Sequence, residues 1–184
     1  MTYRFFKYYQ EFLRRRPYLV QAIQTGGLMA TGDVISQVII EKTYWRDTDI
    51  QRTLKFGSIG FFIGGPALRT WYGVLNKYVG SQGKIVTIKK VFLDQFLFAP
   101  SFLCILLISV AALQRKTWDI IKVDLKSNYF DVLTTNYYIW PWVQILNFYY
   151  VPLHYQVLVV QIVALFWNTY LSWKTNKQIA LKNL

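Results

Sequence analysis

The chain has 184 residues, room for a single domain over 1–184, and is 54% hydrophobic and 18% aromatic with only 16% charged residues. Soluble domains carry about 25% charged residues, so this composition excludes a surface that mostly faces water. The 21 Lys and Arg against 9 Asp and Glu leave a net charge of +12, but they punctuate long apolar stretches, which speaks for a membrane charge distribution and against direct nucleic-acid binding.

In chain order, residues 2–16 place Phe5, Tyr9, Phe12 and Leu13 near one helical face with basic residues around them, predicting a helix lying on the membrane. A spanning helix needs about 20 mostly apolar residues. The stretch 18–40 has Asp33 as its only charge, and 56–79 has Arg69 and Lys77, the latter near enough to the end to snorkel. Both stretches are rich in small residues that let helices approach closely, with Gly26 and Ala30 in one and Gly60 and Gly64 in the other. The stretch 91–113 carries only Asp94 in its 23 residues, and 149–173 carries no Asp, Glu, Lys or Arg. Between them, 117–135 alternates charged and apolar residues and predicts a surface helix, followed by Tyr137, Tyr138, Trp140 and Trp142 as an aromatic belt. The expected fold is therefore all-α, a polytopic membrane bundle of four transmembrane helices plus amphipathic interfacial helices. Four spans put both termini on one face, whose flanking segments hold 12 Lys and Arg against the single acid Glu11; the other face holds 8 against six acids. The positive-inside rule places the first face toward the matrix or cytosol.

A charge at the bilayer centre costs about 2.5–3.5 kcal/mol on insertion scales and faces partners or water. Asp33, Arg69 and Asp94 are such groups, and with Gln37, Gln95, Gln144 and Asn147 they form a candidate pore or polar network. The bland alternative is interhelical hydrogen bonding without transport. Pro66, Pro100 and Pro152 each follow a Phe by four residues and predict helix kinks that free carbonyls toward a hydrated lumen. Catalytic material is sparse: His154 is the lone histidine and Cys104 the lone cysteine, so no internal disulfide is possible. Ala30-Thr31-Gly32-Asp33 lacks the first glycine of the Gly-x-Gly-Asp signature of intramembrane aspartyl proteases. The expectation is a protein that is not an enzyme and takes no cofactor or metal.

The stretch Thr135-Asn136-Tyr137-Tyr138-Ile139-Trp140-Pro141-Trp142-Val143-Gln144-Ile145-Leu146-Asn147-Phe148, continued by Val151-Pro152-Leu153-His154-Tyr155 and by Trp167-Asn168-Thr169-Tyr170-Leu171-Ser172-Trp173, resembles the C-terminal signature of the Mpv/PMP family of small peroxisomal and mitochondrial inner-membrane proteins. Gly32-Asp33 with Gln37, Gly65-Pro66 before Trp71-Tyr72, and Asp94-Gln95 with Pro100 extend the match over nearly the whole chain. The resemblance implies four spans, a mitochondrial inner-membrane address with the peroxisomal membrane as alternative, and a non-selective channel-like activity that modulates membrane potential and supports mitochondrial DNA and its nucleotide supply. Members commonly carry Arg after the Tyr of the Pro-x-x-Tyr stretch, where this chain has Gln156, and Arg69 is not a family site. The expected partners are the lipid bilayer, small ions or metabolites as permeants, and, because four spans are few to enclose a wide pore, a second copy of the chain joined through a small-residue face. A non-conducting scaffold that organises other membrane proteins is the competing reading.

Overall fold

The computed structural model describes residues 11–12, 15–80, 83–150 and 153–182, without the side chains of 147–149, 153–158 and 177–182. The expected interfacial helix 2–16 and Pro152 therefore lie largely or wholly outside the described residues, as do the side chains of Asn147, His154 and Gln156.

Among the described residues the fold is all-helical. Helix α1 runs over Pro17–Ile35 and continues as the π-turn Ser36–Ile40. Its first position is a proline, whose fixed φ suits a helix start and whose missing N–H is not needed there. After the short turn Trp45–Asp47, α2 combines Ile50–Ile59, the π-turn Gly60–Gly64 and Gly65–Tyr78. Asp49 caps α2 by accepting from the Arg52 backbone N–H at 2.9 Å. Helix α3 combines Lys84–Leu93, the π-turn Asp94–Phe98 and Ala99–Leu113. Helices α4 and α5 are Trp118–Tyr150 and Leu153–Lys182. The α2–α3 turn uses Gly80 and Gly83 at φ near +113° and +112°, a region that costs other residues strain.

Contacts between successive helices fix their directions. Gly26 meets Gly57, Thr25 meets Gly60 and Ala22 meets Gly65, so α1 and α2 are antiparallel. Trp71 bonds Asp94 and Lys90 bonds Asn76, reversing α3 against α2. Tyr129 bonds the Pro100 carbonyl and Asn136 bonds Gln95, reversing α4 against α3. Lys174 pairs with Asp131, and Tyr170 with Thr135, reversing α5 against α4. The result is an up-down-up-down-up bundle in which α5 returns to lie along α1. The apolar core between the helices is centred on Met29, Phe56, Leu103, Leu106, Val132 and Leu171.

Two expectations change here. The stretch 117–135 is not a separate surface helix: it is the first half of a 33-residue helix that continues through the aromatic belt and through Pro141 to Tyr150. With five helices running the height of the bundle, the start of α1 and the end of α5 lie at opposite ends, not at one. The described residues form five long helices where four spans and a surface helix are expected.

Polarity is inverted relative to a soluble protein. Asp33, Ser36, Gln37, Gln95, Asn136, Gln144 and Ser172 are buried, while Phe62, Ile88, Phe96, Phe130, Tyr138 and Phe166 are more than 60% exposed on the outside. Contiguous exposed apolar surface of this kind needs a non-aqueous neighbour. Helix α3, 30 residues from Lys84 to Leu113, is long and apolar enough to cross a membrane by itself, the one such helix among the described residues.

Candidate functional site

Apart from the Lys116–Asp124 pair with Asn128, the polar residues inside the bundle centre on two groups. The first is an ionic cluster around Asp33, which is fully buried. Its Oδ1 accepts from Arg52 Nε at 2.8 Å and from the Ser172 hydroxyl; its Oδ2 accepts from Gln37 Nε2 at 2.8 Å and Thr53 Oγ1 at 2.6 Å. Three helices place these donors: Gln37 is one turn along α1, Arg52 and Thr53 open α2, and Ser172 comes from α5. The remaining Arg52 nitrogens grip Glu41 in a fork, at 2.7 and 2.6 Å, and Ser36 donates to the same carboxylate at 2.8 Å. Gln37 closes the cluster by accepting from the Asp49 backbone N–H at 2.7 Å. Burial pushes the Glu41 carboxyl up, but the hydrogen bonds of Arg52 and Ser36 and the Arg52 charge outweigh it and hold the group below its usual 4.5. One cation thus serves two carboxylates.

The second group lines a central cavity of about 210 Å³ bounded by all five helices. Asp94 sits on its wall, accepting from Trp71 Nε1 and Gln95 Nε2, each at 2.9 Å. Gln95 in turn accepts from Asn136 Nδ2 at 3.1 Å. Gln144 is buried on the same wall, and its Oε1 has no hydrogen-bond partner. Phe98 stacks on both Trp71 and Phe102, with ring centroids 5.1 Å apart in each pair, and gives the cavity an aromatic side. The ion cluster lies beyond one end: Asn168 and Leu171 line the cavity, while Ser172, the next residue of α5, already bonds Asp33.

The proline positions explain part of this architecture. One π-turn ends two residues before Pro66 and another two residues before Pro100. The wider turn keeps the pyrrolidine ring away from the carbonyl four residues back, and it shifts which carbonyl is orphaned. In α3 the Ala99 N–H goes to the Asp94 carbonyl, and Pro100, the next possible donor to Gln95, has none. The Gln95 carbonyl is instead met by the Tyr137 hydroxyl at 2.9 Å. The carbonyl expected to be freed at Phe96 is thus displaced by one residue, and it faces α4, not a lumen.

Of the residues singled out in the sequence, Asp94, Gln95 and Gln144 meet at the cavity, while Asp33 and Gln37 belong to the separate cluster. Arg69 joins neither. It is exposed, with its guanidinium 5.9 Å from the Tyr18 ring centroid. Gly26, Ala30, Gly60 and Gly64 form a seam between α1 and α2 within one chain, so that face is not available to a second copy. Sequence reading missed Arg52, Glu41, Thr53 and Ser172. Arg52 lies in a polar connection 19 residues from Asp33, and no local pattern links the two.

A bundle with apolar outer faces and a polar, ion-paired interior is a polytopic helical membrane protein. Residues 111–172 match the family model described as the Mpv17 / PMP22 family. The chain is 46% identical to the mitochondrial inner membrane protein Mpv17 of Xenopus laevis and 43% identical to that of Homo sapiens, each over 92% of this chain and 96% of the relative. It is 39% identical to protein sym-1 of Neurospora crassa, over 90% of this chain and 96% of the relative. No solved structure matches. The chain belongs to the Mpv17 / PMP22 family, and its address is the mitochondrial inner membrane.

Proposed function

We propose that this chain is a non-enzymatic, channel-like protein of low selectivity in the mitochondrial inner membrane, and that passage of small ions or metabolites through it modulates membrane potential and supports mitochondrial DNA and its nucleotide pool. The observation that carries this reading is the cavity of about 210 Å³ at the bundle axis, with Asp94, Gln95 and Gln144 on its wall. A carboxylate and amides inside a membrane bundle are costly unless they face partners or water, and transport uses that polarity. The ion cluster around Asp33 stands past one end, where it closes the path until Arg52 and its carboxylates part.

The closed end also favours a second reading, a non-conducting scaffold whose polar residues hold the helices together. Planar-bilayer recording separates the two. Asp94→Asn should change conductance or selectivity of the well-folded protein, and Asp33→Asn should change its gating. A silent wild type across voltage, in protein shown to be folded, moves the assignment to the scaffold.

All five helices are the proposed spans, because α4 lies against α3 and α5 along its length. The four-span count keeps Trp118–Tyr150 out of the hydrocarbon and is favoured by the charges of its first half. A homo-oligomer, if it forms, must use the lipid-facing side, since the glycine seam is spent within the chain.

A further inference from the structure

The charge pattern of the central cavity narrows what it holds. Among the described residues that line it, Asp94 is the one acid, and there is no Lys or Arg. No cation among the described residues comes within ion-pairing distance of Asp94; Lys90, one turn earlier, gives its ammonium to Asn76 Oδ1. The neutral donors Trp71 and Gln95 take one position on each carboxylate oxygen, and each oxygen has capacity for another. Gln144, 7% exposed, is a neutral amide of the same lining. Tyr72 also lines the cavity and hydrogen-bonds Gln144, so the group left without a charged partner is the Asp94 carboxylate, and a buried carboxylate calls for a cationic donor. Phe98, Phe102 and Trp140 supply flat apolar walls, which favour an organic body and tolerate a cation over their faces.

We propose that the cavity is a binding site for a small organic ammonium ion, its N–H groups on the Asp94 carboxylate and its apolar part against the aromatic wall. A cavity of about 150 Å³ holds a benzene ring, so a volume of about 210 Å³ suits a substituted ring or a short branched chain. The inference rests on the cavity admitting solute, as the conduit reading requires, but it concerns occupancy and not passage.

The probe is benzylammonium, with benzyl alcohol and benzoate as neutral and anionic counterparts, added to the full chain in lipid nanodiscs while thermal unfolding is followed. Benzylammonium should raise the unfolding temperature saturably, benzyl alcohol less, and benzoate not at all. Asp94→Asn should weaken the apparent affinity for benzylammonium on the order of tenfold or more. Ala164→Phe keeps the acid but fills the cavity, and should abolish the saturable rise. Equal stabilisation by benzoate, no saturable rise in wild type, or the same rise in Ala164→Phe would each overturn the proposal. Conductance on the same preparations separates the two claims. A silent protein that still saturates with benzylammonium loses the conduit and keeps the site; a conducting one indifferent to it loses the site alone.

Discussion

Arg52 is the residue on which the charge of the Asp33 cluster depends. It is the guanidinium partner of both Asp33 and Glu41, at 2.8 and 2.6 Å, and its side chain is only 16% exposed. Removing one partner of a buried ion pair leaves an uncompensated charge and costs about 3–5 kcal/mol, so Arg52→Gln should unfold in denaturing detergent far earlier than wild type. Arg52→Lys keeps the charge but loses the planar fork that reaches Asp33, Glu41 and Ser172 together, and should recover only part of that loss. Full stability in Arg52→Gln would show that the cluster is not holding α1, α2 and α5. The pH response has a definite sign. Glu41 titrates lower in the folded protein than its usual 4.5, so its contribution is complete above that pH and is lost as pH falls through the depressed value. Glu41→Gln should flatten this acid limb of the stability curve.

Helix packing sets a contrast between glycines of the same element. A Cβ on Gly65 would stand 2.5 Å from Ala22 Cα, and one on Gly60 would stand 2.7 Å from the Thr25 carbonyl oxygen, both backbone atoms of α1 that cannot move aside without the helix. Gly73, in the same helix, has nothing within 4 Å. Gly65→Ala should therefore destabilise by about 1–3 kcal/mol through overpacking, while Gly73→Ala should stabilise by about 0.5–1 kcal/mol through helix propensity; equal effects in an unfolding titration would contradict the seam. Small residues spaced by four in two neighbouring apolar stretches pointed to a close helix contact but not to its partner, since the same kind of face was expected to join a second copy. Helix α4 was not legible as one element. The charges of 117–135 and the aromatic belt after it read as a surface helix and an interface, yet packing against α3 and α5 carries one helix through both, and through Pro141. Asp94 with Gln95 was readable as a polar pair, but its partners Trp71 and Asn136 are 23 and 41 residues away from the bonds they make. Only the antiparallel register of α2, α3 and α4 supplies them.

For the whole molecule, helix length and charge position together determine how the bundle meets the bilayer. Helices of 33 and 30 residues are about 50 and 45 Å long at 1.5 Å per residue, against a hydrocarbon core of about 30 Å. Roughly 15–20 Å of each must therefore project into the headgroup zone or beyond. The charged first turns of α4 gather at the same end as Glu41, Arg52 and the Lys116–Asp124 pair, so a bundle seated off-centre keeps those charges out of the hydrocarbon even with α4 crossing it. This removes the objection that the charges of α4 raise against five crossings. The two topologies differ at Tyr150, which is exposed. With five crossings it shares a face with Tyr78 and opposes Asp47; with four it shares a face with Asp47. Single cysteines introduced as Asp47→Cys, Tyr78→Cys and Tyr150→Cys into a Cys104→Ser background, and labelled with a membrane-impermeant maleimide in mitoplasts, read this directly. Tyr150→Cys should label with Tyr78→Cys. Labelling with Asp47→Cys instead would place α4 outside the hydrocarbon, and the cavity it helps to wall would then open toward the membrane surface.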